Sequence, residues 1–140
     1  MSKNVFILNN PNDVNPFKQQ ANFDPVSVSN LDQLTNNYCN VICVTCLEEV
    51  DLETRENIFK TLIHKTRPGG EILIVVNDKK NLCRLYLDNV IDDAAFIGNI
   101  SQSQYPISET DILNKLQPNF GVININKNNG KIIFHLGKTQ

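Results

Sequence analysis

The chain contains no tryptophan, one methionine and, until Gly69, no glycine at all. Loops that cradle a phosphate or a nucleotide need residues without a Cβ, so that backbone N–H groups can approach the ligand. The first half of this sequence cannot supply such a loop in its usual form. Charge of one sign is also missing. With 13 basic and 15 acidic residues the formal net charge is −2, which gives no electrostatic reason to expect a nucleic-acid backbone or an anionic membrane as partner. Apolar runs are short. Glu71 to Val76 and Val41 to Val44 fall far below the ~20 residues that cross a bilayer, and the apolar start at Val5 meets Asn9 too soon for a signal-peptide core. A cytoplasmic location is the expectation. Four cysteines (Cys39, Cys43, Cys46 and Cys83) are too few and too bunched for a secreted disulfide framework. The sequence has no Walker loop, no His-Glu-x-x-His and no pair of Cys-x-x-Cys knuckles.

What is present fits one domain over residues 1–140. A length of 140 residues with 41% hydrophobic and 20% charged content suffices for a single core. The 21 asparagines are scattered rather than gathered in a tract. Lys3 to Leu8 reads as a strand ended by the turn Asn9-Asn10-Pro11-Asn12-Asp13. Val14 to Asp24 has little periodicity, Pro25 to Ser29 alternates as a half-buried strand, and Asn30 to Leu34 resembles a capped helical turn. Tyr38 to Thr45 is apolar on both faces, as a central parallel strand is. Glu53 to Thr66 places Ile58, Phe59, Leu62 and Ile63 on one helical face and stops at Arg67-Pro68-Gly69-Gly70. Glu71 to Val76 then reads as a second buried strand. Asn81 to Ala95 reads as one helix with Leu82, Leu85, Tyr86 and Val90 inward, and Ser108 opens a last helix to Leu116. Phe120 to Ile125 and Lys131 to Leu136 flank Lys127-Asn128-Asn129-Gly130, a hairpin signal. Alternating strands and helices closed by a hairpin predict an α/β fold with a mostly parallel sheet and antiparallel pairing at one edge.

The run Tyr38 to Val44, the loop Leu47-Glu48-Glu49-Val50, the following helix and Arg67-Pro68-Gly69-Gly70-Glu71-Ile72-Leu73-Ile74-Val75 resemble the fourth-strand to fifth-strand segment of class I S-adenosylmethionine methyltransferases. The closing strand Lys131 to Leu136 resembles that family's antiparallel seventh strand. The resemblance covers Tyr38 to Leu136 and implies a three-layer Rossmann-like fold. In the family a glycine turn after the first strand and an acidic residue after the second hold the methyl donor. Here the first turn is Asn9 to Asp13, Asn40 stands where the fourth-strand acid is usual, and only 37 residues precede Tyr38, too few for the family's three opening strand-helix units. The N-terminal half is thus abridged. The layout is similar to the N-terminal domain of the anamorsin family of iron–sulfur assembly factors, a methyltransferase-like domain without the glycine loop. That likeness implies a non-catalytic domain with no cofactor and a protein partner, a scaffold or assembly subunit. The alternative is an active methyltransferase with an atypical donor site at Asn9, Asn10, Asp13 and Asn40 and an active-site loop at Glu48 and Glu49.

Other signals have plainer readings. Cys39, Cys43 and Cys46 reproduce the spacing of radical S-adenosylmethionine enzymes, but Cys39 and Cys43 fall within a strand rather than a loop, so buried thiols without metal are expected. Glu48, Glu49, Asp51 and Glu53 suit the start of a helix, and His64 suits its end. His135 falls in what reads as an edge strand. Neither histidine has an acid and a nucleophile nearby in sequence, so no catalytic residue is expected.

Overall fold

A computed structural model describes residues 3–10, 13, 15–16, 22–101, 104–128 and 130–139. Six strands form one sheet: β1 (Lys3–Leu8), β2 (Asp24–Ser27), β3 (Cys39–Val44), β4 (Thr66–Asn77), β5 (Phe120–Asn128) and β6 (Lys131–Lys138). Their order across the sheet is β2-β1-β3-β4-β6-β5. The first four are parallel, and β6 pairs antiparallel with both β4 and β5. The adjacent, parallel and central placement of β3 and β4 is the one expected. Only β1 and β2 precede β3 among the described residues, in keeping with an abridged first half. Pro11, Asn12, Val14, Phe17–Ala21 and Asn129, within the expected turns and the aperiodic segment, lie outside the described residues.

Helix α1 (Leu52–Lys65) joins β3 to β4, and its Asp51 N-cap accepts a 2.8 Å hydrogen bond from Thr54 N–H. Its Ile58, Phe59 and Leu62 meet Ile42, Val44, Ile72 and Ile74 in the main core. A 3-10 helix (Val28–Gln33) adds Leu31, and α4 (Glu109–Leu116) adds Ile112 and Leu116. The opposite sheet face buries Phe6 and Cys43, cross-strand partners, and leaves Leu73, Val75 and Ile133 half-buried.

Four expectations change. The acids Glu48 and Glu49 do not open α1; they occupy the turn before it, because Asp51 takes the capping position. The single helix expected over Asn81 to Ala95 is two, α2 (Lys79–Leu87) and α3 (Asp93–Ser101), separated where Asn89 adopts φ 59°. Asparagine tolerates that left-handed conformation, and its carboxamide offers no helix-stabilising packing in return. His135 lies on an interior strand, since β5 forms the edge, and its Nε2 stands 3.3 Å from Glu71.

The fourth concerns Pro68-Gly69-Gly70, which stops the helix as expected but already belongs to β4. Cys39 pairs with Thr66 and Val41 with Glu71, so Arg67 to Gly70 bulge out opposite the single residue Asn40. Gly69 takes φ 79°, and a Cβ at Gly70 would stand 2.9 Å from the Asn40 carbonyl and 2.9 Å from that of Arg67. Both are backbone atoms, and Asn40 is held between the ladder residues Cys39 and Val41. Gly70→Ala should therefore lower stability by about 2 kcal/mol or more, read as a lower urea midpoint with an unchanged slope; an unaltered midpoint would show that the bulge is plastic.

Candidate functional site

The carboxyl ends of β1, β3 and β4 open onto a cleft of about 940 Å³ lined by Asn9, Asn10, Asp13, Thr45, Glu48 and Glu49, among others. In open parallel sheets this is where ligands bind. Five of the six candidate site residues meet there. Asn40 does not, because it sits near the start of β3, four residues before the strand's end, or about 13 Å away along it. Its Nδ2 donates to Asn4 Oδ1 at 3.4 Å instead.

The first turn is closed by its own side chain. Asp13 Oδ2 accepts from the backbone N–H groups of Asn9 (2.9 Å) and Asn10 (3.1 Å), and the Asp13 N–H donates to the Asn10 carbonyl at 3.0 Å. In the methyltransferase arrangement these N–H groups, at the end of the first strand, would face the donor. Among the described residues, Asn9, Asn10 and Asp13 carry side chains at this turn, and the Asp13 carboxylate already occupies the two N–H groups.

Glu48 is buried at the base of the cleft. Its Oε1 accepts from Asn77 N–H at 2.8 Å, and its Oε2 is paired with Lys79. The Glu48 carbonyl accepts from Tyr105 N–H at 2.9 Å. Arg55, also buried, donates from Nε to the Leu47 carbonyl at 3.1 Å and from Nη2 to the Tyr105 carbonyl. One acid and one guanidinium thus join the β3–α1 turn, the β4–α2 junction and the chain entering α4. Lys79, Asn77 and Arg55 escaped sequence reasoning, because a helix-start lysine, a strand-end amide and a mid-helix arginine carry no motif. The nearest signal is Arg55 four residues after its N-cap, on the side of α1 that carries Phe59 and Leu62.

Glu49 is the exposed acid of the cleft. Burial of its carboxylate and then the neighbouring Asp13 raise its pKa, with Lys131 opposing and Glu48 adding a little. The cysteines take no part. Cys39 and Cys46 belong to the main core, whereas Cys43 faces Phe6 on the other side of the sheet. Burial pushes the Cys43 and Cys46 thiols up to about 12. No group of three metal-ligating side chains occurs among the described residues.

Two tests follow from this geometry. Glu48→Ala removes the acceptor of the Asn77 N–H bond and the partner of Lys79 and should cost about 1–3 kcal/mol, read as a lower denaturant midpoint; an unchanged midpoint would mean that water replaces the carboxylate freely. Glu49 has a raised folded-state pKa, so its ionisation opposes folding: its contribution is most favourable below the usual glutamate range and declines as pH rises through the folded value. Glu49→Gln should raise the melting temperature at pH 7.5, by the equivalent of less than about 1 kcal/mol given its exposure. The gain should vanish as pH falls toward the model-peptide value of 4.5; a gain independent of pH would refute the electrostatic account.

No family model and no curated protein matches the chain. Solved structures do. The N-methyltransferase NodS of Bradyrhizobium japonicum WM9, solved with S-adenosyl-L-homocysteine, gives a TM-score of 0.59 at 11% identity, over 98% of this chain and 67% of that one. A candidate type 11 methyltransferase of Sulfolobus solfataricus gives 0.59 at 12% identity, over 98% and 72%. A methyltransferase of Thermotoga maritima gives 0.57 at 12% identity, over 86% and 66%. The chain spans 66% of the length of the last and 72% of the Sulfolobus protein. At such identities the likeness is one of fold. The chain therefore has the mostly parallel α/β fold of class I S-adenosylmethionine-dependent methyltransferases.

Proposed function

We propose that this chain is a methyltransferase-like domain that transfers no methyl group and works by contacting protein, as a cytoplasmic scaffold or assembly subunit of the kind the anamorsin comparison implies. The observation that carries the reading is the Asp13 carboxylate on the Asn9 and Asn10 N–H groups. A donor bound there would have to displace two charge-assisted hydrogen bonds and find room among asparagine side chains. Glu48 adds support, since both its oxygens are engaged by Asn77 and Lys79 and neither stands ready as a base. No described helix is long and apolar enough to cross a membrane.

Contact with protein is supported by α2 and α3. They pack on each other through Tyr86 and Phe96, whose rings stack with centroids 4.2 Å apart. Leu87, Val90, Ile97 and Ile100 are left exposed, and α3 buries no residue. Contiguous exposed apolar surface of this kind marks an interaction site.

A second reading, an active methyltransferase with an atypical donor site, is favoured by the cleft itself, whose volume of about 940 Å³ would admit a nucleoside. Titration with S-adenosylmethionine and S-adenosylhomocysteine separates the two. Ligand at about 100 times its dissociation constant adds about 2.7 kcal/mol to stability, a rise of several degrees in melting temperature for a chain of this size. The expected result at millimolar ligand is no rise. A saturable rise would overturn the scaffold reading and make Glu49 the first residue to substitute in a search for activity.

A further inference from the structure

We propose that the exposed face of α2 and α3 docks a second copy of this chain across a two-fold axis. The inference rests on the reading that this face meets protein, and it holds whether or not the cleft takes a cofactor. Lys80, Cys83, Arg84, Leu87 and Asp88 border one shallow groove on α2, spaced as neighbours along a single helical face. Toward its carboxyl end Leu87 is 76% exposed, and Val90 beyond it is 66% exposed. The face continues onto α3, where Ile97 is exposed and a Cβ placed on Gly98 would meet nothing within 4 Å. A second surface can thus approach α3 closely.

Charge order names the occupant. Along α2 the cations come first, Lys80 in the first turn and Arg84 in the last; Asp88 caps the carboxyl end, followed by Asp92 and Asp93. Asp92 is engaged by Ala95 N–H and Asp93 by the Tyr86 hydroxyl, whereas Lys80, Arg84 and Asp88 enter no ion pair among the described residues. Two such helices laid antiparallel, with the axis near Leu85, set each Leu87 on the Cys83 of the other copy. Lys80 and Arg84 then come within reach of the other copy's Asp88. A two-fold contact satisfies both ends with one patch, as isologous interfaces do. A parallel pairing would set like charges together, and the aspartates would repel an anionic membrane.

Sedimentation equilibrium of the full chain tests this. The expected mass at high micromolar concentration is twice the 15.8 kDa monomer. Lys80→Glu with Arg84→Glu should weaken association by about 10-fold or more, and adding Asp88→Arg should restore it, because the swapped charges again face each other. Leu87→Glu should yield monomers with an unchanged circular dichroism spectrum and melting temperature. A short bis-maleimide should cross-link the wild type through Cys83, the only exposed thiol among the free cysteines, and Cys83→Ser should abolish the product. A wild type that stays monomeric overturns the proposal, as does a charge-swapped triple variant no tighter than Lys80→Glu with Arg84→Glu. Either failure leaves the cofactor question standing, since a saturable shift with S-adenosylmethionine bears on that reading alone.

Discussion

The buried Glu48 side chain is the interaction on which the upper edge of this molecule depends. A carboxylate withdrawn from water is costly unless its oxygens are matched, and here each oxygen has a partner at the β4–α2 junction. Asn77 N–H comes from the last residue of β4, and Lys79 from the first turn of α2. Because the Glu48 main chain also holds Tyr105, the path from α3 into α4 is fastened at the same point. Arg55 then closes the circuit through two carbonyls, Leu47 and Tyr105. The resulting junction fixes where α2 departs from the sheet, and hence which of its faces points outward.

On the scaffold reading proposed above, the same junction keeps Glu48 out of any chemistry in the cleft: an acid that holds two donors in place would release a helix or a strand end at each proton transfer. Asp13 repeats the pattern on the other side of the cleft, where its carboxylate fastens the turn after β1. Of the three acids that line the cleft, two are spent on the backbone, and Glu49 alone is left to solvent. The absence of glycine before Gly69 and the presence of Asp13 are thus two sides of one arrangement: a turn that keeps its side chains can be closed by one of them.

Much of the fold was legible in the sequence because its signals are local. β1, α4 and the closing hairpin lie within a few residues of their expected limits, set by Asn9, by the Ser108 cap, which accepts from Asp111 N–H at 3.1 Å, and by Gly130. The candidate site was legible in type and partly in place. Asn9, Asn10, Asp13, Glu48 and Glu49 follow parallel strands and so reach the same edge. Asn40 does not reach that edge, because it stands near the start of β3, at the far end of the strand. Lys79 and Arg55 were illegible because their roles arise from elements distant in sequence, which no spacing encodes.

The break between α2 and α3 shows how a local failure of pattern carries functional weight. A continuous helix over Asn81 to Ala95 would place Leu82, Leu85, Tyr86 and Val90 along one inward stripe. The left-handed Asn89 reverses the chain instead, and Tyr86 finds Phe96 as its partner rather than the sheet. Leu82 alone of α2 is buried. Val90, deprived of its place on the stripe, turns outward beside Leu87, and α3 folds back with Ile97 uncovered. Exposing such side chains forgoes about 1.5–3 kcal/mol apiece relative to full burial, a loss the isolated chain does not recover. The helical break therefore converts core-forming residues into a surface, and it does so at the point where the cations of Lys80 and Arg84 give way to the anion of Asp88.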